Sequence, residues 1–164
     1  MIWQRSDRFD PRALVLADRH YSRQKPGTSQ FVKAGSCAVF YAEANGGRAL
    51  WVTVWQQHVK HDWPGAWECA LFRNEGAGKG RRLILDAVAA TRAHYGDPPA
   101  QGMITFVDPK HVREKQDPGW TFFIAGFRHV GETTEGLLVM RLDPARMPSP
   151  KPLAWSAPSL LEAA

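Results

Sequence analysis

Residues 67–95 constrain the fold of this chain more than any other segment. The apolar run 67–72 predicts a buried strand. Residues 81–95 predict a helix, because apolar or small side chains recur on one face, at Leu83, Ile84, Ala87, Val88 and Thr91. A charged loop with glycines at 76, 78 and 80 joins the strand to the helix. A strand followed directly by an amphipathic helix favours an α/β fold, in which the helix covers the sheet.

The loop of this unit, residues 73–80, predicts a site for a phosphorylated ligand. A strand that turns through glycines into a helix exposes backbone N–H groups at the positive end of the helix dipole. Lys79, Arg81 and Arg82 add positive charge beside them. The spacing excludes a Walker loop, because Gly80 follows Lys79 where Ser or Thr is required. A plain surface loop with the same glycines is the alternative.

Length and charge narrow the class of protein. The 164 residues fit a single domain with its own core, and no apolar run approaches the ~20 residues that span a bilayer. The first residues lack the apolar core of a signal peptide. Cys37 and Cys69 lie in strand-like segments, so we expect them to be buried thiols rather than a disulfide. Both observations favour a cytoplasmic location, which is the host cytoplasm if the chain is phage-encoded. The formal charge of +5 favours a polyanionic partner such as DNA or RNA, although solubilising charge is the simpler reading.

The remaining elements complete an α/β order. Asp10 and Pro11 predict the start of a helix that runs to His20. A hairpin is expected over 37–42 and 49–55, a strand over 103–107, a short helix over 118–127 closed by Gly126, and a last hairpin over 128–132 and 136–142. We therefore expect one domain, residues 1–143, with a mixed sheet in which antiparallel hairpins flank a central pair joined by a helical crossover. Residues 144–164 predict a Pro-rich tail, with Leu153, Trp155, Leu160 and Leu161 as docking side chains.

Two motifs resemble the GNAT acyl-CoA N-acyltransferases. Arg73-x-x-Gly76-x-Gly78 is similar to the family's Arg/Gln-x-x-Gly-x-Gly/Ala pattern, and residues 122–127 resemble a shortened form of its C-terminal Phe-Tyr-x-x-x-Gly-Phe signature. The resemblance implies a GNAT-like mixed, mostly antiparallel sheet with flanking helices. It also implies that acetyl-CoA or a related acyl donor is held through its pyrophosphate at the loop. The residues implied to bind the donor are Phe72, Arg73, Gly76, Gly78, Lys79 and Gly80; Glu75 departs from the family pattern.

Three further positions are candidates for chemistry. His20 and Tyr21 end the first helix beside Ser22 and Arg23, where a general base, a proton donor or a metal ligand would reach a groove. Dipole-complementing cations at the end of a helix are the structural alternative. Asp108 ends an apolar strand, where ligands of α/β sheets bind, or else caps the turn before Pro109. Glu68 is a third candidate base, or a paired core carboxylate, since alternation does not fix its face.

The other histidines carry a weaker signal. His58 and His61 are three residues apart, but no cysteine or carboxylate completes a zinc set around them. His94, His111 and His129 are interpreted as surface or packing residues.

The segments His20-Tyr21-Ser22-Arg23 and Phe106-Val107-Asp108-Pro109 also resemble the bacteriophage Mom family. Proteins of that family modify adenine in phage DNA on a GNAT-type scaffold, so that host restriction enzymes fail to cut. The resemblance implies that His20, Tyr21 and Asp108 are the active-site residues, and that an iron ion can be bound near them.

We therefore expect a DNA-modifying transferase that adds a small acyl-type group to a base amine. The target base would have to flip out of the stack to be reached. An acetyl-CoA-dependent N-acetyltransferase acting on a small amine or a protein is the alternative. A catalytically silent nucleic-acid-binding module is a third interpretation.

Overall fold

A mixed β-sheet with helices on both faces forms the body of the protein. The computed structural model describes residues 1–23, 25–33, 35–56, 59–111 and 117–154. Its strands are β1 (Trp3–Ser6), β2 (Ser36–Ala44), β3 (Gly47–Trp55), β4 (Trp67–Glu75), β5 (Met103–Val107), β6 (Arg128–Glu132) and β7 (Leu138–Leu142). Its helices are α1 (Pro11–Asp18), α2 (Gly80–Tyr95) and α3 (Trp120–Ile124), with 3-10 turns at Pro109–His111 and Pro144–Arg146. The predicted α/β class is confirmed.

The strands lie in the order β1-β2-β3-β4-β5-β7-β6. All neighbours are antiparallel except β4 and β5, which α2 connects by a crossover. This parallel ladder is short, because Trp67–Cys69 pair with Met103–Thr105 and β4 then continues to Glu75 without further pairing to β5. The sheet therefore opens between β4 and β5 beyond Cys69.

Local signals placed most elements correctly. Asp10 caps α1 as predicted, since its Oδ1 accepts the N–H of Arg12 at 2.9 Å, but the helix ends at Asp18 rather than at His20. The β2–β3 turn is confirmed at Asn45 and Gly46, whose φ angles of 55° and 73° are those that a tight hairpin needs. Strand β1 was not predicted, because only Trp3 of its four residues is buried and no alternation marks it.

The two faces of the sheet carry separate cores. On one face α2 covers Trp51 and Trp67 with Ile84 and Val88. On the other face α1 places Leu16 against side chains of β2, β3 and β4 such as Tyr41, Leu50, Val52 and Leu71. Burying large apolar side chains on both faces makes β2, β3 and β4 the rigid centre to which the loops around the site are attached.

The C-terminal segment follows the body of the protein as far as it is described. Met147 is buried, Leu153 packs against the core beneath α2, and Arg92 Nη1 donates to the carbonyl of Pro148 at 2.8 Å. Trp155, Leu160 and Leu161, which were predicted to dock, lie outside the described residues. None of the helices in the described ranges has the length and apolar character required to cross a membrane.

Candidate functional site

A β-bulge in β4 sets the direction of the side chains around the site. Val52 pairs with Leu71 but the next residue, Thr53, pairs with Cys69, so Ala70 is an extra residue in the ladder. Ala70 and Leu71 consequently both face α1, whereas Cys69 belongs to the core under α2. A bulge leaves its extra residue out of the ladder and re-aims its neighbours, and bulges are over-represented beside active sites.

A cleft of about 690 Å³ occupies the opening between β4 and β5. Its floor is formed by residues 68–72 of β4 and 105–107 of β5. Residues 20–23, which follow α1, form one wall, and residues 119–122 at the start of α3 form another. Because α1 and α3 approach the sheet from different sides, the cleft runs through the gap between the strands.

Three rings beside the cleft lie face to face, and we call them the ring stack (His20, Tyr21, His111). His20 and Tyr21 line the cleft. Tyr21 lies 4.4 Å from His20 and 4.9 Å from His111 between ring centroids, with interplanar angles of 29° and 9°. Asp108 holds the outer histidine, since its Oδ2 lies 2.9 Å from His111 Nδ1 and its Oδ1 accepts the N–H of Lys110 at 2.9 Å. The structure thus brings together the three residues that the sequence singled out and adds His111.

Two members of the ring stack, His20 and Tyr21, are uncharged at neutral pH. Burial and the positive charge of Arg73, with that of His111 when it is protonated, lower the pKa of His20 to about 4. The backbone N–H of Ser22 donates to His20 Nδ1 at 3.2 Å, so the proton of the neutral ring is on Nε2. Burial raises the pKa of Tyr21, whose hydroxyl accepts the N–H of Asp108 at 3.5 Å. His20 and Tyr21 are therefore both placed as neutral hydrogen-bond donors.

The low pKa of His20 predicts a loss of stability in acid. Between its ordinary value of 6.5 and its folded value of about 4, the unfolded chain binds a proton that the folded ring does not. This contribution to stability is complete above pH 6.5 and is lost as the pH falls towards 4. We expect His20→Gln to lose less stability than the parent chain between about pH 7 and about pH 4.5 in urea unfolding. Equal losses in the two proteins would contradict a half-buried, neutral His20.

The glycine loop lies beside the cleft rather than inside it. Asn74 holds it compactly, because its side chain accepts the N–H of Ala77 and donates to the carbonyl of Gly78, at 3.0 and 2.8 Å. Lys79 is the N-cap of α2 and makes no side-chain cap hydrogen bond, so the first N–H groups of the helix have no side-chain acceptor from the cap. A β-carbon at Gly80 would lie 2.6 Å from Cγ2 of Thr121, a residue of the cleft wall.

An ion-pair network joins the loop to the end of α1. Glu75 bridges Arg73 and Arg19 at 2.7 and 2.8 Å, and Arg73 Nη1 donates to the carbonyl of Arg19 at 2.7 Å. Burial raises the pKa of Glu75, but the hydrogen bonds and charges of the two arginines outweigh it and lower the pKa. The unexpected carboxylate in a phosphate-type loop is therefore neutralised, and Arg73 serves partly to anchor it. Phe72 also lines the cleft, in edge contact with Phe122.

Glu68 faces the cleft from the α1 side of the sheet. Only 5% of it is exposed, and its Oε1 lies 2.5 Å from Lys33 Nζ. Burial lowers the pKa of His61 nearby, and its Nδ1 accepts the N–H of Trp63 at 3.0 Å. His58, three residues before His61 in the sequence, lies outside the described residues.

The side chains implied to surround an iron ion bond mainly to residues next to them. His20 Nδ1 is held by Ser22, and both carboxylate oxygens of Asp108 are engaged by Lys110 and His111. In the described part of the chain, no group of three or more His, Cys, Asp or Glu side chains is placed to hold a metal ion. Since His20 Nδ1 and the oxygens of Asp108 already have these partners, the mechanism proposed below routes no step through an ion.

The sequence placed His111 among the surface or packing residues, and the structure adds that it stacks on Tyr21 and contacts Asp108. The signal was present in the spacing, because Asp108 and His111 are three residues apart around a proline and a 3-10 turn places such side chains together.

Comparison of the chain with protein-family models, curated proteins and solved structures gave no match. A function has to follow from the cleft itself.

Proposed function

We propose that the chain is a transferase that moves a small acyl-type group from a phosphorylated donor to an amine of a DNA base. One observation carries the proposal: the uncapped start of α2 lies against Thr121 in one wall of the cleft between β4 and β5, and His20 and Tyr21 of the ring stack line another wall. One end offers backbone donors suited to an anion, and the other offers groups suited to proton transfer. The sheet order, the short parallel pair and the bulge support the GNAT-like resemblance noted in the sequence.

The donor would be held at the loop and the first turn of α2. The backbone N–H groups after Lys79, which receive no side-chain cap, suit phosphate oxygens, and Gly80 lacks a side chain where the methyl group of Thr121 lies against the first turn of α2. Phe72 would contact the part of the donor that enters the cleft. Acetyl-CoA or a related acyl donor fits this description, and it would supply the activated acyl carbon.

The proton acceptor in this proposal is His111. An ionised Asp108 accepts a hydrogen bond from the Nδ1–H group of His111. This tautomer leaves Nε2 of His111 with a free lone pair. Asp108 itself is a poor base, because the N–H of Lys110 and the contact with His111 lower its pKa. His20 Nε2–H and the Tyr21 hydroxyl would donate to oxygen atoms of the base or of the acyl group.

The proposed transfer forms one bond and breaks another. The amine nitrogen attacks the acyl carbon, so a C–N bond forms, and the bond between the acyl carbon and its carrier breaks. The amine proton goes to His111 Nε2, and the departing carrier takes up one proton. No oxidant or reductant is needed, since the acyl group and one proton change places and His111 is returned to its starting state.

A DNA acceptor is supported by the charge and shape of the protein. The chain carries a formal charge of +5, which favours a polyanion, and a cleft set within the sheet admits only a nucleotide that has left the duplex stack. The test is mass analysis of nucleosides from DNA of cells that express the chain. We expect a nucleoside heavier by one acyl-type group, absent when His111→Ala is expressed at the same level. Unmodified DNA in the presence of soluble, folded protein would contradict the proposal.

A small or protein amine is the second candidate acceptor. The carboxylates of Glu68, Asp117 and Glu135 all line the cleft, and they would suit a cationic amine better than a DNA phosphate. In that case acetyl-CoA should raise the melting temperature and DNA should not. A rise with DNA alone would exclude it.

A further inference from the structure

Helix α3 exposes an unusual set of large apolar side chains, two of which are aromatic. None of the residues of this helix is buried, and Trp120, Phe123 and Ile124 are 45%, 43% and 38% exposed. A short helix on a globular protein normally turns such side chains towards the core. We name Trp120, Phe123 and Arg128 the aromatic platform, because their planar groups lie against one another at the surface.

The geometry of the platform is fixed by hydrogen bonds to the backbone. The rings of Trp120 and Phe123 lie 5.6 Å apart at an interplanar angle of 25°, and the guanidinium of Arg128 lies 4.5 Å from the Phe123 ring. Arg128 Nη1 donates to the carbonyls of Phe123 and Phe127 at 3.2 and 2.7 Å. The guanidinium is thus oriented before any ligand arrives.

A second guanidinium lies beside the same helix. Arg81 Nε donates to the carbonyl of Ile124 at 2.9 Å. Carbonyl acceptors orient these two arginines without neutralising them, and across the described ranges neither one forms an ion pair with a carboxylate. Positive charge therefore accompanies the exposed rings.

We propose that the aromatic platform binds single-stranded DNA next to the target nucleotide, with an unstacked base lying on Trp120. The inference rests on the proposed function and names the form of the DNA that the cleft receives. A ligand that uses both features must carry flat rings and negative charge together. An aliphatic surface gains little from two oriented guanidiniums, and an acidic peptide gains little from stacked rings, whereas a nucleic acid strand uses both.

The position of Trp120 ties the platform to the cleft. Trp120 lines the cleft as well as the surface, in the wall formed by α3, while His20 and Tyr21 line the wall that follows α1. A base that enters the cleft leaves its neighbours without a stacking partner, which costs a few kcal/mol. A ring at the rim restores one of these contacts, since stacking a base on an aromatic side chain contributes about 1–3 kcal/mol.

The experiment measures binding of a fluorescein-labelled single-stranded oligonucleotide by anisotropy, without any acyl donor, beside the duplex of the same sequence. Trp120→Leu is expected to weaken single-strand binding about 5-fold or more, and Trp120→Phe, which keeps a ring, is expected to retain most of it. Phe9→Leu is the matched control, because Phe9 is 76% exposed and lies by β1, at the opposite edge of the sheet from β6. The control is expected to bind like the parent chain.

Two results would overturn the inference. One is equal binding by the parent chain, Trp120→Leu and Trp120→Phe, all with unchanged melting temperatures. The other is loss of coenzyme A binding in Trp120→Leu with single-strand binding intact, which would assign the platform to the base of the donor. Failure of the proposed function looks different: DNA then stays unmodified in cells although Trp120→Leu weakens strand binding.

Discussion

Replacing Asp108 by Asn is expected to slow group transfer about a hundredfold or more, the size of a typical general-base contribution. The Lys110 N–H needs an oxygen at Oδ1, so the introduced amide would present its NH₂ group to His111 Nδ1. That nitrogen must then accept, which moves the ring proton to Nε2 and removes the lone pair that takes the amine proton. The measurement is the initial rate of DNA modification with both substrates in excess.

Three further variants test whether this loss of rate depends on the pairing of Asp108 with His111. His111→Ala should lose about as much rate as Asp108→Asn, and the double variant little more, because the two residues act as a unit. Asp97→Asn removes an exposed carboxylate after α2 and should leave the rate unchanged. Additive losses in the double variant, or a normal rate for Asp108→Asn, would contradict the assignment of His111 as the base.

Gly47→Ala is expected to lower the free energy of unfolding by about 3 kcal/mol or more. A β-carbon there would lie 2.2 Å from the carbonyl carbon of Gly76 and 2.4 Å from the carbonyl oxygen of Glu75. These are backbone atoms of the segment that leads into the glycine loop, and Arg48 forms a bridge with Gly76 beside them. The overlap can be relieved only by moving β3 away from the loop. Urea unfolding followed by tryptophan fluorescence measures the change.

The neighbouring glycine provides the control for Gly47→Ala. Gly46 has a φ of +73°, but a β-carbon there meets nothing within 4 Å. Gly46→Ala should therefore cost only the strain of the left-handed conformation, about 1 kcal/mol. Similar losses for the two variants would show that the close approach of Gly47 to Gly76 does not limit stability.

The sequence predicted most of the helices and strands because their signals are local. The cap at Asp10, the turn at Asn45 and Gly46 and the apolar face of α2 are each encoded within a few residues. Strand β1 was not predicted, because it is stabilised by pairing with β2 and its own four residues carry no pattern that indicates a strand. The sheet order likewise depends on contacts between segments far apart in the chain.

The candidate site was predictable as a set of residues but not as an arrangement. His20, Tyr21 and Asp108 were identified from their places at the ends of elements, and the structure brings them together. The face taken by Glu68 depends on the Ala70 bulge that follows it, and no alternating pattern reveals an inserted residue. The pairing of Glu75 with two arginines required the fold, because Arg19 comes from a different element.

The separation of β4 from β5 bears on the order in which the donor and the acceptor would bind. The described walls of the cleft between these strands come from both faces of the sheet. In the proposed transfer, the donor and the acceptor would then approach along different walls, and neither would have to depart before the other enters. Such a layout suits direct handover within a three-component complex, with no intermediate stored on the protein.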